Sequence, residues 1–291
     1  MGESLKSNRR GGSSDPKRPR KGRQGREHSR ATRGDAYLIH GRRPAQEFLN
    51  AGLPHDGIEA VLVSEGMSDR ELVEALPRNL TRGLARRDMD ELFPDLNHQG
   101  IVIKFQPGRT PFDGRDDDWS GFIKSSPGFL LALDEIQDPQ NLGSILRSAE
   151  ALGSAGVFLT GRGTDISPAA LRVSAGAAFH IPAYKVANPN RLLDAARQAG
   201  YFIVSAAGDP DHASDDSAKG PLALRATERK RFPMAREMLL FIGNEGSGVR
   251  PLVRSKSDFL VSIPMDGRIA SLNAGVAAGI LMDRLLRDEG E

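Results

Sequence analysis

The chain contains no cysteine. That excludes disulfides, thiolate metal sites and cysteine nucleophiles together. Histidine is scarce as well. Six residues, at positions 28, 40, 55, 98, 180 and 212, never fall at metal-ligand spacing, so no protein-bound metal is expected. No apolar run approaches the roughly 20 residues that cross a bilayer. The N-terminus also lacks the apolar core of a secretory signal. The chain reads as soluble and cytoplasmic, with no membrane partner.

What is present is unevenly placed. The net charge of +2 over 291 residues hides a basic beginning. Residues 1–34 carry 11 Lys/Arg against 3 Asp/Glu, which leaves 29 basic and 35 acidic groups for residues 35–291. This tail has almost no bulky apolar side chain to offset the entropy of ordering, so it is expected to be disordered. Its Lys/Arg clusters suit an accessory contact with a polyanion that weakens steeply with salt. A transit peptide and a plain solubilising extension are the alternatives.

A chain of this length allows one large domain or two small ones with ample core. Order is expected from Ala36. YLIHGRRPAQEFLNAGL reads as a short strand, a glycine and a helix with Ala45, Phe48 and Leu49 on one face. IEAVLV (58–63) is a second strand, SDRELVEAL a helix capped by Ser68, and GIVIKF (100–105) closes a small α/β unit over residues 35–106. Residues 107–127, rich in Pro, Gly, Asp and Ser, read as a linker.

Beyond Gly128 the texture changes. Apolar runs at 129–133, 156–160, 202–206, 238–242 and 259–263 alternate with helical segments at 139–152, 189–199 and 271–287. That alternation predicts an α/β domain over 128–291 whose parallel sheet is covered on both faces. Ligands of such sheets bind at the carboxyl ends of the strands. The polar stretch 206–234 is either a mobile loop over such a site or an insertion.

Three segments following strand ends carry candidate chemistry. In DEIQDPQNLGSILRSAEALG (134–153), Asp138-Pro139 starts a helix and Gly153 stops it. Leu142, Ile145, Leu146, Ala149 and Leu152 form one apolar stripe. Arg147 falls off that stripe, and Asn141 sits in the first turn beside unpaired backbone amides. Alone, these two read as a solvated arginine and a capping asparagine. In MLLFIGNEGSGV (238–249), an apolar strand breaks into Gly243, Gly246 and Gly248 around Asn244 and Glu245. The segment is neither a Walker loop nor a dinucleotide fingerprint. Glu245 disfavours a phosphate and suits a neutral or cationic guest; a plain turn is the alternative. In VSIPMDGRIASLNAGVAAGILMDRLL (261–286), a helix starts at Ser271 or Asn273. Leu272, Val276 and Ile280 repeat as a buried stripe, while Ala274, Gly275, Ala277, Ala278 and Gly279 leave a smooth region for close helix contact.

Taken in order, the three segments resemble the motifs of the SpoU/TrmH family. They read Asn-x5-Arg in a Pro-capped helix, strand-GNEGSG, and strand-IPMDG-x3-SLN-helix. These are the 2′-O-ribose RNA methyltransferases of the SPOUT superfamily, and the likeness spans residues 128–287. Residues 36–105, with HGRRPAQEFL and NHQGIVIKF, resemble the ribosomal-protein-like RNA-binding domain that precedes the catalytic domain in many members. The resemblance implies a deep C-terminal trefoil knot, a rare exception to unthreaded chains. It also implies a homodimer with sites at the interface, and S-adenosylmethionine as cofactor. Thr160, Gly161, Gly243, Asn244, Gly248, Ile263, Met265, Ser271 and Leu272 would hold that cofactor. Arg147 takes the central catalytic role, with Asn141, Glu245, Ser271 and Asn273 at the remaining polar positions. Arginine keeps its proton, so phosphate anchoring by Arg147 is preferred to a role as base. Arg42, Arg43 and Arg147 are the expected RNA contacts. Two departures stand out. Ala274-Gly275 follow SLN where many members have Val-Ser, and His180 replaces a common Glu and is given no role beyond structure. A preceding RNA-binding unit argues for a large structured RNA, with a guanosine of 23S rRNA as first choice. A tRNA target and a silent RNA-binding or ribosome-assembly factor are the alternatives.

Overall fold

The structure, a computed structural model, describes residues 36–112, 118–208, 222–225, 237–265, 267–268 and 271–286. The readings of the basic tail, and of the 206–234 stretch apart from a strand at 222–225 and residues 206–208, fall outside the described residues.

The N-terminal unit is a four-stranded sheet with helices. In chain order it comprises β1 (Leu38–His40), α1 (Arg42–Asn50), β2 (Ile58–Ser64), α2 (Arg70–Ala75), β3 (Thr81–Leu84), α3 (Arg86–Leu92) and β4 (Ile101–Phe105). The strand order is β1-β4-β2-β3. β4 runs antiparallel to β1 and β2, whereas β2 and β3 are parallel and joined by a crossover through α2. Asp69, not Ser68, caps α2. The helix starts at Arg70, which makes Leu72 its third residue, and the Asp69 carboxylate accepts the Leu72 amide at 3.2 Å. β3 and α3 went unread because TRGL and RRDMDEL bury only Met89 fully and so show almost no apolar period.

The stretch read as a linker ends in a helix, α4 (Trp119–Ser125), capped by Asp118, which accepts the Gly121 amide at 3.0 Å. Ile123 is buried with Leu130, Phe158 and Tyr201, and Phe122 lies 4.9 Å from the Tyr184 ring. The apolar content of WSGFI outweighs the surrounding Asp and Ser, so this part of the linker belongs to the larger unit's core.

The larger unit comprises β5 (Phe129–Asp134), α5 (Pro139–Ala151), β6 (Gly156–Thr160), α6 (Pro168–Val173), α7 (Ala177–His180), β7 (Ala183–Val186), α8 (Pro189–Gln198), β8 (Phe202–Ala206), β9 (Leu222–Arg225), β10 (Met238–Gly243), α9 (Pro251–Ser255), β11 (Phe259–Ser262) and α10 (Ala274–Leu286). Among the described residues its seven strands lie in the order β7-β6-β5-β10-β8-β11-β9. Every pairing is parallel. Successive side chains of a strand point to opposite faces. Leu131, Leu133, Leu240 and Ile242 therefore pack towards α5, α6, α7 and α10. Leu130, Ala132, Leu239 and Phe241 pack towards α4, α8 and α9. Helices α5, α6 and α8 share one start, a polar cap followed by proline: Asp138, Ser167 and Asn188 each accept an amide two or three residues on. No described helix is long and apolar enough to cross a membrane.

α10 is a correction. It starts at Ala274, and the face it buries carries Ala274, Gly275, Ala278, Leu281, Met282 and Leu285. Leu272 and Ile280 are half-buried, and Val276 is 52% exposed. The smooth face wins because α5 must come close. A Cβ on Gly275 would stand 2.1 Å from the Ser144 hydroxyl, and one on Gly279 would stand 3.8 Å from that of Ser148. The small-residue region is thus filled from within the chain.

The two units share one apolar cluster. Phe48 of α1 meets Phe105 at 6.0 Å and Phe179 of α7 at 5.6 Å, and Phe112 stacks on Phe179 at 5.7 Å. Such aromatic pairs add about 0.5–1.5 kcal/mol each beyond burial. The Tyr37 hydroxyl donates to the Ile166 carbonyl at 3.0 Å, and His180 meets Glu47 at 2.9 Å. His180 is therefore a seam residue, in keeping with a structural reading.

Candidate active site

Three strands end at one level. Gly243 of β10 pairs with Asp134 of β5, and Asp134 with Thr160 of β6. These are the carboxyl ends, where parallel sheets bind ligands.

Asp134 was not singled out from the sequence, yet it organises this level. It is fully buried. Its carboxylate accepts the Arg250 amide at 2.9 Å, the Arg250 Nε at 2.8 Å and the Thr160 hydroxyl at 2.8 Å, with Arg250 Nη2 closing the fork. Arg250 Nη1 also lies 3.5 Å from Glu135 Oε1. The hydrogen bonds to Asp134 push the Arg250 pKa above arginine's ordinary value, against the opposing effect of burial. The available signal was an aspartate closing the run FLLALD. A charge at the end of a buried strand needs a partner, but nothing local points to residue 250.

The glycine loop is closed on itself. A Cβ on Gly243 would fall 1.9 Å from the Gly248 carbonyl carbon, so no side chain fits there. Gly248 has φ +65°, a conformation glycine adopts without strain. The Asn244 Oδ1 accepts from the amides of Gly246 at 3.0 Å and Ser247 at 2.8 Å and from the Ser247 hydroxyl. That oxygen shapes the loop. Gly161, at φ +72°, is likewise tight, its Cβ position 2.7 Å from Glu135 Cγ.

Three of the expected polar residues meet directly. Asn141, 4% exposed, donates through Nδ2 to Glu245 Oε1. Its Oδ1 accepts from Asn273 Nδ2 at 2.7 Å. Asn273 in turn caps α10, accepting the Gly275 amide at 2.9 Å and the Val276 amide at 3.3 Å. One buried amide thus ties together all three segments. Arg147 lies two turns along α5 from Asn141, exposed, with no side-chain hydrogen bond or ion pair among the described residues. Ser271 is exposed, and Ile263, Met265 and Leu272 are half-buried on the neighbouring segment. Arg42 and Arg43 are not at this site; they sit on α1, across the seam.

The sequence model of the SpoU rRNA methylase family matches residues 128–283. The chain belongs to this family. Its relatives agree with that assignment. The chain is 34% identical over 262 residues to an uncharacterized tRNA/rRNA methyltransferase of Mycolicibacterium vanbaalenii, covering 87% of this chain and 77% of the relative. The SpoU methyltransferase AviRb from Streptomyces viridochromogenes, solved in complex with the cofactor AdoMet, is similar in fold with a TM-score of 0.66. It is 28% identical, over 86% of this chain and 89% of that one. A solved RNA 2′-O ribose methyltransferase matches with a TM-score of 0.62 at 26% identity, over 86% of this chain and 88% of its own. In this SpoU methylase the family match takes in the Asn141–Glu245–Asn273 chain, Arg147 and the Asp134–Arg250 pair alike.

Proposed function

We propose that this SpoU methylase transfers a methyl group from S-adenosylmethionine to a ribose 2′-hydroxyl of a structured RNA, a guanosine of 23S rRNA. The observation that carries the reading is Asn141 bridging Glu245 and Asn273 at the strand ends, with Arg147 exposed on the same helix and without a side-chain partner among the described residues. The relatives solved with AdoMet and as a 2′-O ribose methyltransferase support cofactor and target atom.

The residues fit this cofactor. The strand ends offer close-packed backbone at Gly161 and Gly243 and an exposed carboxylate at Glu245. That donor set suits a neutral nucleoside and a positive sulfur and is unsuited to a pyrophosphate. Backbone and side chains at Thr160, Gly161, Gly243, Asn244, Gly248, Ile263, Met265, Ser271 and Leu272 would hold it. S-Adenosylmethionine supplies the activated methyl group when bound. The chain's own task is alignment. Arg147 anchors the target phosphate with a fixed positive charge. Asn141 locks the glycine loop to the start of α10 and so keeps Glu245 and Ser271 in place.

Residues 35–106 act as the RNA-binding unit through Arg42 and Arg43, residues 128–291 form the catalytic domain, and the chain threads a C-terminal trefoil knot. Val276, which α10 leaves outward, with the half-buried Ile280 and Leu272 beside it, serves as part of a homodimer contact, in a cytoplasmic enzyme. The basic tail (1–34) adds a salt-sensitive RNA contact.

The test incubates purified protein with methyl-labelled S-adenosylmethionine and unmodified transcripts of 23S rRNA fragments and bulk tRNAs. Label is located by nuclease digestion and mass spectrometry. Label on a ribose of one rRNA loop is expected. Label confined to tRNA moves the target, a reading the relatives' tRNA/rRNA description keeps open. Binding of RNA without binding of S-adenosylmethionine overturns the enzyme in favour of a silent RNA-binding factor. Arg147→Lys should keep cofactor binding and lose most of the methyl transfer, and unchanged turnover would remove Arg147 from its role.

A further inference from the structure

The N-terminal unit and the active site are joined by α6. On one side, α6 packs on α5. A Cβ on Gly143 would stand 2.5 Å from the Ala170 carbonyl oxygen and 2.5 Å from Val173 Cβ. Arg147 follows Gly143 by one turn, on the same side of α5. On the other side, the Ile166 carbonyl just before α6 accepts the Tyr37 hydroxyl, and Gly176 just after it is tight against Glu47, its Cβ position 2.5 Å from Glu47 Cγ. Arg172 sits in the last turn of α6 between these contacts. It is exposed and has no side-chain hydrogen bond or ion pair among the described residues. Arg43 lies on the Glu47 side of α1, 4.0 Å from that carboxylate, with its side chain 73% exposed.

We propose that Arg43, Arg172 and Arg147 form one phosphate-binding track, with Arg172 carrying the RNA backbone across the seam from the N-terminal unit to the active site. This rests on the RNA methyltransferase reading above. Guanidinium forks match phosphate oxygens in charge and geometry, and phosphate contacts fix the register of a nucleic acid without reading its sequence. Glu47, the carboxylate at the Arg43 end of the track, is already held by His180 at 2.9 Å and by Arg43. The shared aromatic core fixes the two ends of the track relative to each other, so the distance from the N-terminal contacts to the modified ribose is set by the fold. Arg172 faces the N-terminal unit closely enough to act on His40, whose pKa is lowered by burial first and then by Arg172 and His98, against the Asn97 carbonyl.

The test uses the full chain with Arg172→Gln and Arg172→Glu, and Arg191→Gln as control. Arg191 lies on α8, over Trp119 on the opposite face of the sheet. The probes are an unmodified 23S rRNA fragment and bulk tRNA, titrated at several salt concentrations. S-Adenosylmethionine binding and thermal unfolding are measured on the same proteins. Arg172→Gln should weaken binding of both RNAs about tenfold and lower the slope of log affinity against log salt by about one. KM for RNA should rise while kcat, cofactor affinity and unfolding temperature stay at wild-type values. Arg172→Glu should weaken binding further, and Arg191→Gln should change nothing. Wild-type affinity and salt slope in Arg172→Gln, in a preparation whose parent binds and methylates RNA, overturn the track alone. A parent protein that neither binds nor methylates RNA overturns the functional reading, and the track with it.

Discussion

Asp134 and Glu245 are carboxylates at the ends of adjacent strands, or just beyond them, and they are held in opposite ways. Asp134 is fully buried and accepts from four donors, the Arg250 amide, Nε and Nη2 and the Thr160 hydroxyl. Glu245 is exposed and is held by the Asn141 amide. The first carboxylate is fully engaged by the protein, so it fixes geometry. The second keeps free acceptor capacity at the mouth of the site, so it can meet a ligand. Burial and satisfied hydrogen bonding thus separate a carboxylate that holds the fold from one that is open to a ligand.

The comparison can be broken by substitution. Asp134→Asn strands the Arg250 guanidinium against a buried neutral amide and should cost about 3–5 kcal/mol of stability in urea unfolding. A well-folded Asp134→Asn protein would make the pair dispensable. Gly243→Ala places a Cβ 1.9 Å from backbone. It should cost about 2–3 kcal/mol and weaken S-adenosylmethionine binding by at least tenfold (about 1.4 kcal/mol), read by calorimetry. Glu245→Gln keeps an acceptor for Asn141 but removes the charge. Its unfolding midpoint should match wild type while methyl transfer falls about 100-fold, roughly 2.7 kcal/mol of barrier. Equal turnover would show that only the shape of Glu245 matters.

Smaller effects sharpen the contrast between site and seam. Asn273→Ala removes the cap of α10 and one partner of Asn141, and should cost about 1 kcal/mol with a clear drop in turnover. His40 lies at the seam, its pKa held below the ordinary value of 6.5 chiefly by burial. The folded chain therefore binds fewer protons there than the unfolded one. This stability is present above pH 6.5 and declines as pH falls towards and through the lowered value. His40→Gln should flatten that acid-side decline, read as urea unfolding at about pH 5 against about pH 8, without changing turnover at neutral pH.

Much of this was legible locally. Continuous apolar runs marked β5, β6, β8, β10 and β11 because strands buried on both faces need no polar alternation. The Asp138-Pro139 pair marked the start of α5, and three short motifs marked Asn141, Glu245 and Asn273 before any contact was known. β3, α3, α4, α6, α7, β7, β9 and α9 were not legible, because segments of four to seven residues are too short to establish a period. The face of α10 was misread for a related reason. Leu272, Val276 and Ile280 have the stronger apolar signal, but Gly275 and Gly279 let α5 approach, and close packing of that face decided the orientation.

The sequence by itself determined the parallel α/β architecture and the residue types gathered at its strand ends, since period, capping and glycine placement act within a few residues. Only the tertiary structure decided that Asp134 pairs with Arg250, 116 residues away, and that Asn141 joins Glu245 and Asn273 across 104 and 132 residues. Only the tertiary structure, too, placed α6 between the N-terminal unit and α5. A buried polar group takes whichever partner the packed core brings within hydrogen-bonding distance, and that choice depends on desolvation and shape across the whole chain rather than on its neighbours in sequence.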